Sequence, residues 1–315
     1  MIITTDKTRR NTLAVPDFQS FFLPLLKYSS DGEMHSTKEA YAAMAEHFRL
    51  SQEDQKEMLP SGKQTTYKNR VAWARVYLSK ALLLESPKRA FFRITERGQE
   101  LLKSNPPDLR VKHLKQYPEF VDFHTSNSKQ DKSGESVGDE ERTATPEEIF
   151  ENAYQELRRN LANELFTQIS KNSPEFFEHL VVQLLVKMGY GGSIKDAGQS
   201  MGRSGDEGID GIIKEDKLGL DVIYIQAKRW QGSVGRPEVQ KFVGALHGQR
   251  AKKGVFITTG AFTRDAEQYV STIDPKVVLI DGSRLVGLMI DHNLGVSIVD
   301  AYEIKKIDSD FFFEE

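Results

Sequence analysis

The run Gly205-Asp206-Glu207-Gly208-Ile209-Asp210-Gly211 and, one predicted strand later, Tyr224-Ile225-Gln226-Ala227-Lys228 hold the residue types that could do chemistry. Side chains alternate along a strand, so Gln226 and Lys228 share a face while Ile225 and Ala227 take the other. An oxygen ligand and an ammonium thus stand side by side. If the two strands pair, Asp210 approaches Gln226 across the sheet. Together they offer oxygen atoms to a hard cation such as magnesium, with the Ala227 backbone carbonyl as a further ligand. Lys228 is then placed to orient a water and to stabilise developing negative charge. Glu178, on the predicted helix FFEHLVVQLL, could complete the set through a bound water or a second metal. Phosphodiester hydrolysis needs this combination, because a metal offsets phosphate charge and activates water while a cation serves the attacking water or the oxyanion.

Plainer readings stand beside these. Asp206 and Glu207 next to glycine are ordinary turn residues, and Glu178 could be a carboxylate on a helix surface. For Asp210, Gln226 and Lys228 the alternative is a structural network under a Rossmann-like sheet. A lysine and an amide in an otherwise apolar strand are costly without a use, which favours the chemical reading. Trp230 could stack on a base, although packing is the simpler expectation. His179, His247 and His292 lack metal-like spacing, and no Walker-type phosphate loop occurs, so no nucleotide cofactor is expected. With no cysteine, disulfides, thiolate metal sites and a cysteine nucleophile are excluded.

These residues need elements to hold them. The helix PEFFEHLVVQLLVKMGYGG is capped by Ser173 and Pro174 and stopped by Gly189, Gly191 and Gly192. Short β-like runs follow at Ile209 to Lys214 and Asp221 to Lys228. Next come a helix from Arg236 to Arg250, a buried strand GVFITT, a helix from Thr263, a strand KVVLID and a helix SRLVGLMIDHN. Helices and strands in this order predict a mixed sheet flanked by helices. The amphipathic stretch from Pro146, EEIFENAYQELRRNLANELFTQIS, leads into this part of the chain.

At 315 residues there is room for a second domain in front. FQSFFLPLLKYSS predicts a first helix; Ser36 and Thr37 cap a second, KEAYAAMAEHF, with Glu39 placed for a capping box; a third begins near Ser51. The long helix TTYKNRVAWARVYLSKALLL turns Val71, Trp73, Ala74, Tyr77 and Leu78 inward and leaves Lys68, Asn69 and Arg70 available near its start. Leu83 to Ser86, the turn Pro87-Lys88-Arg89-Ala90, and Phe91 to Ile94 then predict a β-hairpin. Helices followed by a basic-tipped hairpin describe a winged helix-turn-helix.

Charge agrees with that assignment. The formal net charge is −3, yet Lys63, Lys68, Arg70, Arg75, Lys80, Lys88, Arg89, Arg93 and Arg97 face only Glu85 and Glu96 in their segment. Lys68, Asn69, Arg70, Lys88 and Arg89 are therefore expected to meet DNA, the cations at phosphates. The alternatives are a protein-contact wing or a solvated face. From Glu119 to Glu151 the sign reverses among Ser, Gly and Thr, which predicts a disordered acidic linker. The expected division is thus a winged helix over 16–106, an acidic linker over 107–145, a catalytic domain over 146–302 and a tail over 303–315. A hydrophobic fraction of 38% and a charged fraction of 28%, with no apolar run long enough to span a bilayer, predict no membrane partner. The N-terminus has no secretory h-region, so a cytoplasmic location is expected.

At the residues quoted first, the sequence resembles the Mrr family of type IV restriction endonucleases, a branch of the PD-(D/E)xK nucleases with glutamine in the usual acidic position. The likeness runs through FFEHLVVQLLVKMGYGG, GDEGIDGII, IYIQAKRW, VGRPEVQKFVGAL, KKGVFITTGAFT and LIDGSRLVGLMI, and the segment SGKQTTYKNRVAWA resembles the family's N-terminal winged helix. The resemblance implies a restriction-endonuclease-like catalytic domain, catalysis by Asp210, Gln226 and Lys228, and modified, typically methylated, double-stranded DNA as substrate. Glu207 departs from the family's usual Asp-Gly-Gly-Ile-Asp-Gly run and could crowd the turn or add a carboxylate beside the metal. Cutting both strands with one site per chain further suggests a dimer or higher assembly. A repair or recombination nuclease, a catalytically silent DNA-binding regulator and a protein-interaction module are the competing functions.

Overall fold

The computed structural model describes residues 15–128, 143–191, 209–216, 220–305, 307 and 311. These fall into two compact units. One runs to Gln155 and takes in the described residues from Lys305 onward; the other runs from Glu156 to Ile304.

The first unit opens on a 3-10 helix, Phe18–Phe21, whose start is capped by the Asp17 carboxylate accepting from the backbone of Gln19 and Ser20. It continues through α1 (Phe22–Tyr28), β1 (His35–Ser36), α2 (Thr37–His47), α3 (Gln52–Lys56), α4 (Thr66–Lys80), β2 (Leu84–Glu85), β3 (Phe91–Ile94) and α5 (Glu96–Lys103). Ser36 and Glu39 form the expected capping box on α2, and Ser51 and Asp54 form a second on α3. The expected hairpin forms, with Leu84 opposite Ile94, and β1 adds to its other side with His35 opposite Phe92. Phe18, Phe21, Phe22, Leu25, Leu78 and Phe92 are fully buried at the centre. Tyr77 meets Phe18 edge-on, with ring centroids 5.3 Å apart.

Two expectations for this unit are corrected. Residues 107–128 are not linker: α6 (Val111–Leu114) and α7 (Pro118–Ser128) follow α5, and Leu109, Val111, Leu114 and Phe120 are buried in the same core. The Gln19 side chain accepts from the Val111 backbone at 2.9 Å, and Arg110 pairs with Asp17 at 3.0 Å. The acidic run beyond hid these apolar positions when charge was averaged over the stretch. Residues 129–142, the heart of the expected linker, lie outside the described residues.

The second correction concerns α4. Asn69 and Arg70 do not stay available. Asn69 is buried; it accepts from the Thr145 hydroxyl at 2.7 Å and donates to Glu147 at 2.6 Å. Arg70 donates to Glu148 at 2.7 Å and to the carbonyls of Val15 and Pro16 at 2.7 and 3.0 Å. Trp73 also donates its indole N–H to Glu147. The first turn of α8 (Pro146–Lys171) is thereby seated on α4, and the division between the units falls inside α8, beyond the boundary expected at residue 146.

In the second unit α9 (Pro174–Lys187) starts at a Ser173 cap and ends before Gly189 and Gly191, both with positive φ. After it come β4 (Gly211–Lys214), β5 (Val222–Lys228), β6 (Ser233–Val234), α10 (Arg236–Gly248), β7 (Lys253–Thr258), β8 (Ala261–Phe262), α11 (Arg264–Val270), β9 (Lys276–Ile280) and α12 (Gly282–Asp291). The main sheet has the order β4-β5-β7-β9, with β4 antiparallel to β5 and the other pairs parallel. This is the expected mixed sheet. Ile223, Ile225, Ala227 and Ile257 pack in one core with Leu184 and Leu185 of α9 and Leu285 of α12, while Phe256 and Val277 pack in another with Phe242 and Leu246 of α10 and Ala266 of α11.

A small parallel pair, β6 with β8, is formed by the segments that follow β5 and β7. The approach is tight: a Cβ on Gly260 would lie 2.0 Å from the Gly232 carbonyl oxygen, so only glycine fits there. Thr259 donates its hydroxyl to the Trp230 carbonyl at 2.8 Å, fastening the segment that leaves β5.

Candidate active site

The β4–β5 register sets the site. Gly211 is opposite Ile225, and the Asp210 backbone N–H donates to the Ile225 carbonyl at 2.9 Å, continuing the pairing by one residue. Asp210 is thus carried to the Gln226 position, as the alternation required. Its carboxylate accepts from the Ala227 backbone N–H at 2.7 Å. Ala227 therefore already touches Asp210 through its N–H, whereas the sequence drew attention to its carbonyl.

Burial pushes the Asp210 carboxyl above the ordinary aspartate range, partly offset by the Ala227 N–H and by the positive charge of Lys228. Glu178, on α9, is raised too, first by burial and then by the negative charge of Asp210. Asp210 is therefore within electrostatic reach of both Glu178 and Lys228. Gln226 is 6% exposed.

This donor set fits a hard cation. Two carboxylates that burial disfavours as anions, beside the Gln226 amide, suit a divalent ion. Among the described residues no three His, Asp or Glu side chains group to hold a metal.

Lys228 has two neighbours that sequence reasoning did not assign to it. Its ammonium forms an ion pair with Glu238 on α10, and it lies 4.9 Å from the centre of the Trp230 ring. Trp230 is 42% exposed, so the packing role expected for it is only partial. A signal for Glu238 was present. In a parallel β-α-β crossover the helix runs back along the sheet, so the first turn of α10 must lie near the end of β5, where Lys228 stands.

Asp206, Glu207 and the glycines around them lie outside the described residues. In the first unit Lys88 and Arg89 are exposed at the hairpin tip, and Lys68 is half-buried, 5.9 Å from the ring centres of Tyr41 and Tyr67. No helix among the described residues is long and apolar enough to cross a membrane.

Comparison with known proteins identifies the family. Residues 169–289 match a family model described as a restriction endonuclease, the Mrr catalytic domain, and residues 18–104 match the Mrr N-terminal domain. The chain is 37% identical over 314 residues to the type IV methyl-directed restriction enzyme EcoKMrr of Escherichia coli (strain K12), covering 95% of this chain and 100% of the relative. Among solved structures, the DNA modification-dependent restriction endonuclease AspBHI is 23% identical over 49% of this chain and 37% of its own, with a TM-score of 0.35. The MspJI restriction endonuclease, solved with a 27-mer oligonucleotide, is 25% identical over 52% of this chain and 36% of its own, with a TM-score of 0.29. Matched by family models in both units and by a relative along nearly its whole length, the chain belongs to the Mrr family of restriction endonucleases.

Proposed function

We propose that this chain cuts methylated double-stranded DNA by magnesium-dependent hydrolysis of the phosphodiester backbone. The observation that carries the proposal is the pairing of β4 with β5, which sets Asp210 against Gln226 and Ala227 at the end of β5 and within electrostatic reach of Lys228 and Glu178. The methyl-directed activity named for the E. coli relative supports the choice of substrate. Asp210, the Gln226 amide oxygen and the Ala227 carbonyl would hold the magnesium, with Glu178 able to reach it through water or a second ion. When bound, the ion supplies charge neutralisation at the phosphate and a more acidic water. Lys228 donates to the attacking water and to the charge that develops on the phosphate oxygens. The low dielectric created by burial strengthens both interactions.

We read the first unit as a winged helix-turn-helix that holds the duplex, supported by its helices, its three-stranded antiparallel sheet and the exposed cations on the hairpin. Lys68, Lys88 and Arg89 are its proposed phosphate contacts; Asn69 and Arg70 are withdrawn from that role because α8 occupies them. Cleaving both strands with one site per chain calls for two or more copies, acting on DNA in the cytoplasm. The test is digestion of plasmids carrying defined methylation patterns, with and without magnesium. Cutting only of methylated plasmid in the presence of magnesium is expected. Equal cutting of unmethylated plasmid would favour a nuclease that reads DNA structure, and no cutting of any would favour a silent DNA-binding protein.

Gln226 offers a finer test. A neutral amide attracts magnesium less than the carboxylate usual at this position in the superfamily. Gln226→Glu adds a charged oxygen with almost the same reach and should lower the magnesium concentration that gives half-maximal cleavage. The new carboxylate also attracts Lys228, so the maximal rate should stay equal or fall. A magnesium titration of initial rate reads both. If the half-saturating concentration moves neither in Gln226→Glu nor in Gln226→Ala, Gln226 is not a ligand.

A further inference from the structure

We infer that Glu238 is a positioning residue for the cleavage reaction, acting through Lys228; the inference rests on the proposed role of Lys228 above. Two groups hold the lysine ammonium. It pairs with the Glu238 carboxylate on one side and lies 4.9 Å from the Trp230 ring centre on another. Both members of the ion pair are partly open to solvent, with side-chain exposures of 26% for Lys228 and 32% for Glu238, so the pair can be reached from solvent. An exposed ion pair of this kind contributes little to folding. Its value lies in geometry, since a lysine side chain has four rotatable bonds and loses considerable rotamer freedom when it is held.

The arrangement has a reason in the strand itself. A carboxylate at position 226 would lie two residues from Lys228 on the same face and could hold the ammonium directly; Gln226 carries no charge to do so. Glu238 supplies that charge from the neighbouring helix. Its backbone is anchored by Val239 and Phe242, both fully buried in the core beneath α10, so the carboxylate projects from a rigid base. Trp230 is held in turn by the Thr259 hydroxyl bonded to its carbonyl and by the close crossing of Gly260 over Gly232. Lys228 is therefore clamped between two supports that are themselves fixed.

The experiment uses the full chain and a methylated plasmid under single-turnover conditions, with DNA affinity measured in calcium and melting temperature followed alongside. Glu238→Ala should lower the cleavage rate about 10- to 100-fold, the usual effect of removing a group that orients a catalytic one. DNA affinity and the half-saturating magnesium concentration should not move. Glu238→Asp, which keeps the charge with a shorter reach, should recover part of the loss, and Glu238→Gln, which preserves shape and folding, should remain slow. A wild-type rate in Glu238→Gln overturns the inference. So does a faster rate in Glu238→Ala, which would mean that the pair restrains Lys228, or a shift in magnesium dependence, which would make Glu238 a ligand. If Lys228→Ala itself cuts normally, the underlying role of Lys228 fails; if Lys228→Ala is inactive while the Glu238 variants are normal, only the present inference fails.

Discussion

Lys228→Ala should cut methylated plasmid about 10²- to 10³-fold more slowly than the native chain, or not detectably, while binding the same DNA with nearly unchanged affinity. The magnitude is that of removing one preorganised donor from a developing oxyanion. Lys228 supplies a charge that the alanine cannot replace, and among the described residues no second lysine or arginine acts on Asp210. Affinity is spared because the proposed phosphate contacts, Lys68, Lys88 and Arg89, belong to the other unit. Asp210→Ala should behave likewise, for a different reason: it removes the one carboxylate that the strand pairing brings to Gln226. Plasmid cleavage measures the rate, and gel shift in calcium measures binding. Near-normal turnover in either variant would remove these residues from the mechanism.

The second large effect is on stability. Arg70 and Glu148 have side-chain exposures of 12% and 8%, so this is a buried ion pair. Arg70→Ala should destabilise the first unit by about 3 to 5 kcal/mol, because it leaves a buried carboxylate without its cation. Glu148 would keep only its bond from the Thr145 backbone, at 2.7 Å. Removing both charges together, as Arg70→Met with Glu148→Leu, should recover most of the loss. Urea unfolding of the three proteins decides it. A loss under about 1 kcal/mol for Arg70→Ala would place the pair with ordinary surface bridges.

What could be read from the residues alone follows how local each cause is. The caps at Ser36, Ser51 and Ser173 are side chains bonding to backbone within three residues, and each helix starts where its cap predicts. The alternation of Ile223, Ile225 and Ala227 against Tyr224, Gln226 and Lys228 set the faces of β5 before any partner was known. The approach of Asp210 to Gln226 followed from that alternation plus strand pairing.

Nonlocal causes were less visible. Nothing near Asn69 or Arg70 in sequence indicates that Thr145, Glu147 and Glu148 will occupy them, since helical position alone marks both as open. In the same way, a run of acidic residues obscured Leu109, Val111, Leu114 and Phe120, whose spacing could have marked a further helical segment. Glu238 is not visible from the strand that carries Lys228, because it reaches the lysine from the next helix. The crossover from β5 to α10 carried the missing information.

The seating of α8 on α4 governs how the protein can be dissected. A head expressed alone and ended near residue 106 would be stripped of Leu109, Val111, Leu114 and Phe120 from its core and would leave Arg70 and Asn69 facing solvent without their carboxylates. A nuclease fragment begun at Pro146 would carry Glu147 and Glu148 away from the side chains that use them. Swapping heads between relatives at the acidic stretch would therefore mismatch the two sides of a polar network, unless the graft carries the first turns of α8, through Gln155, along with the head.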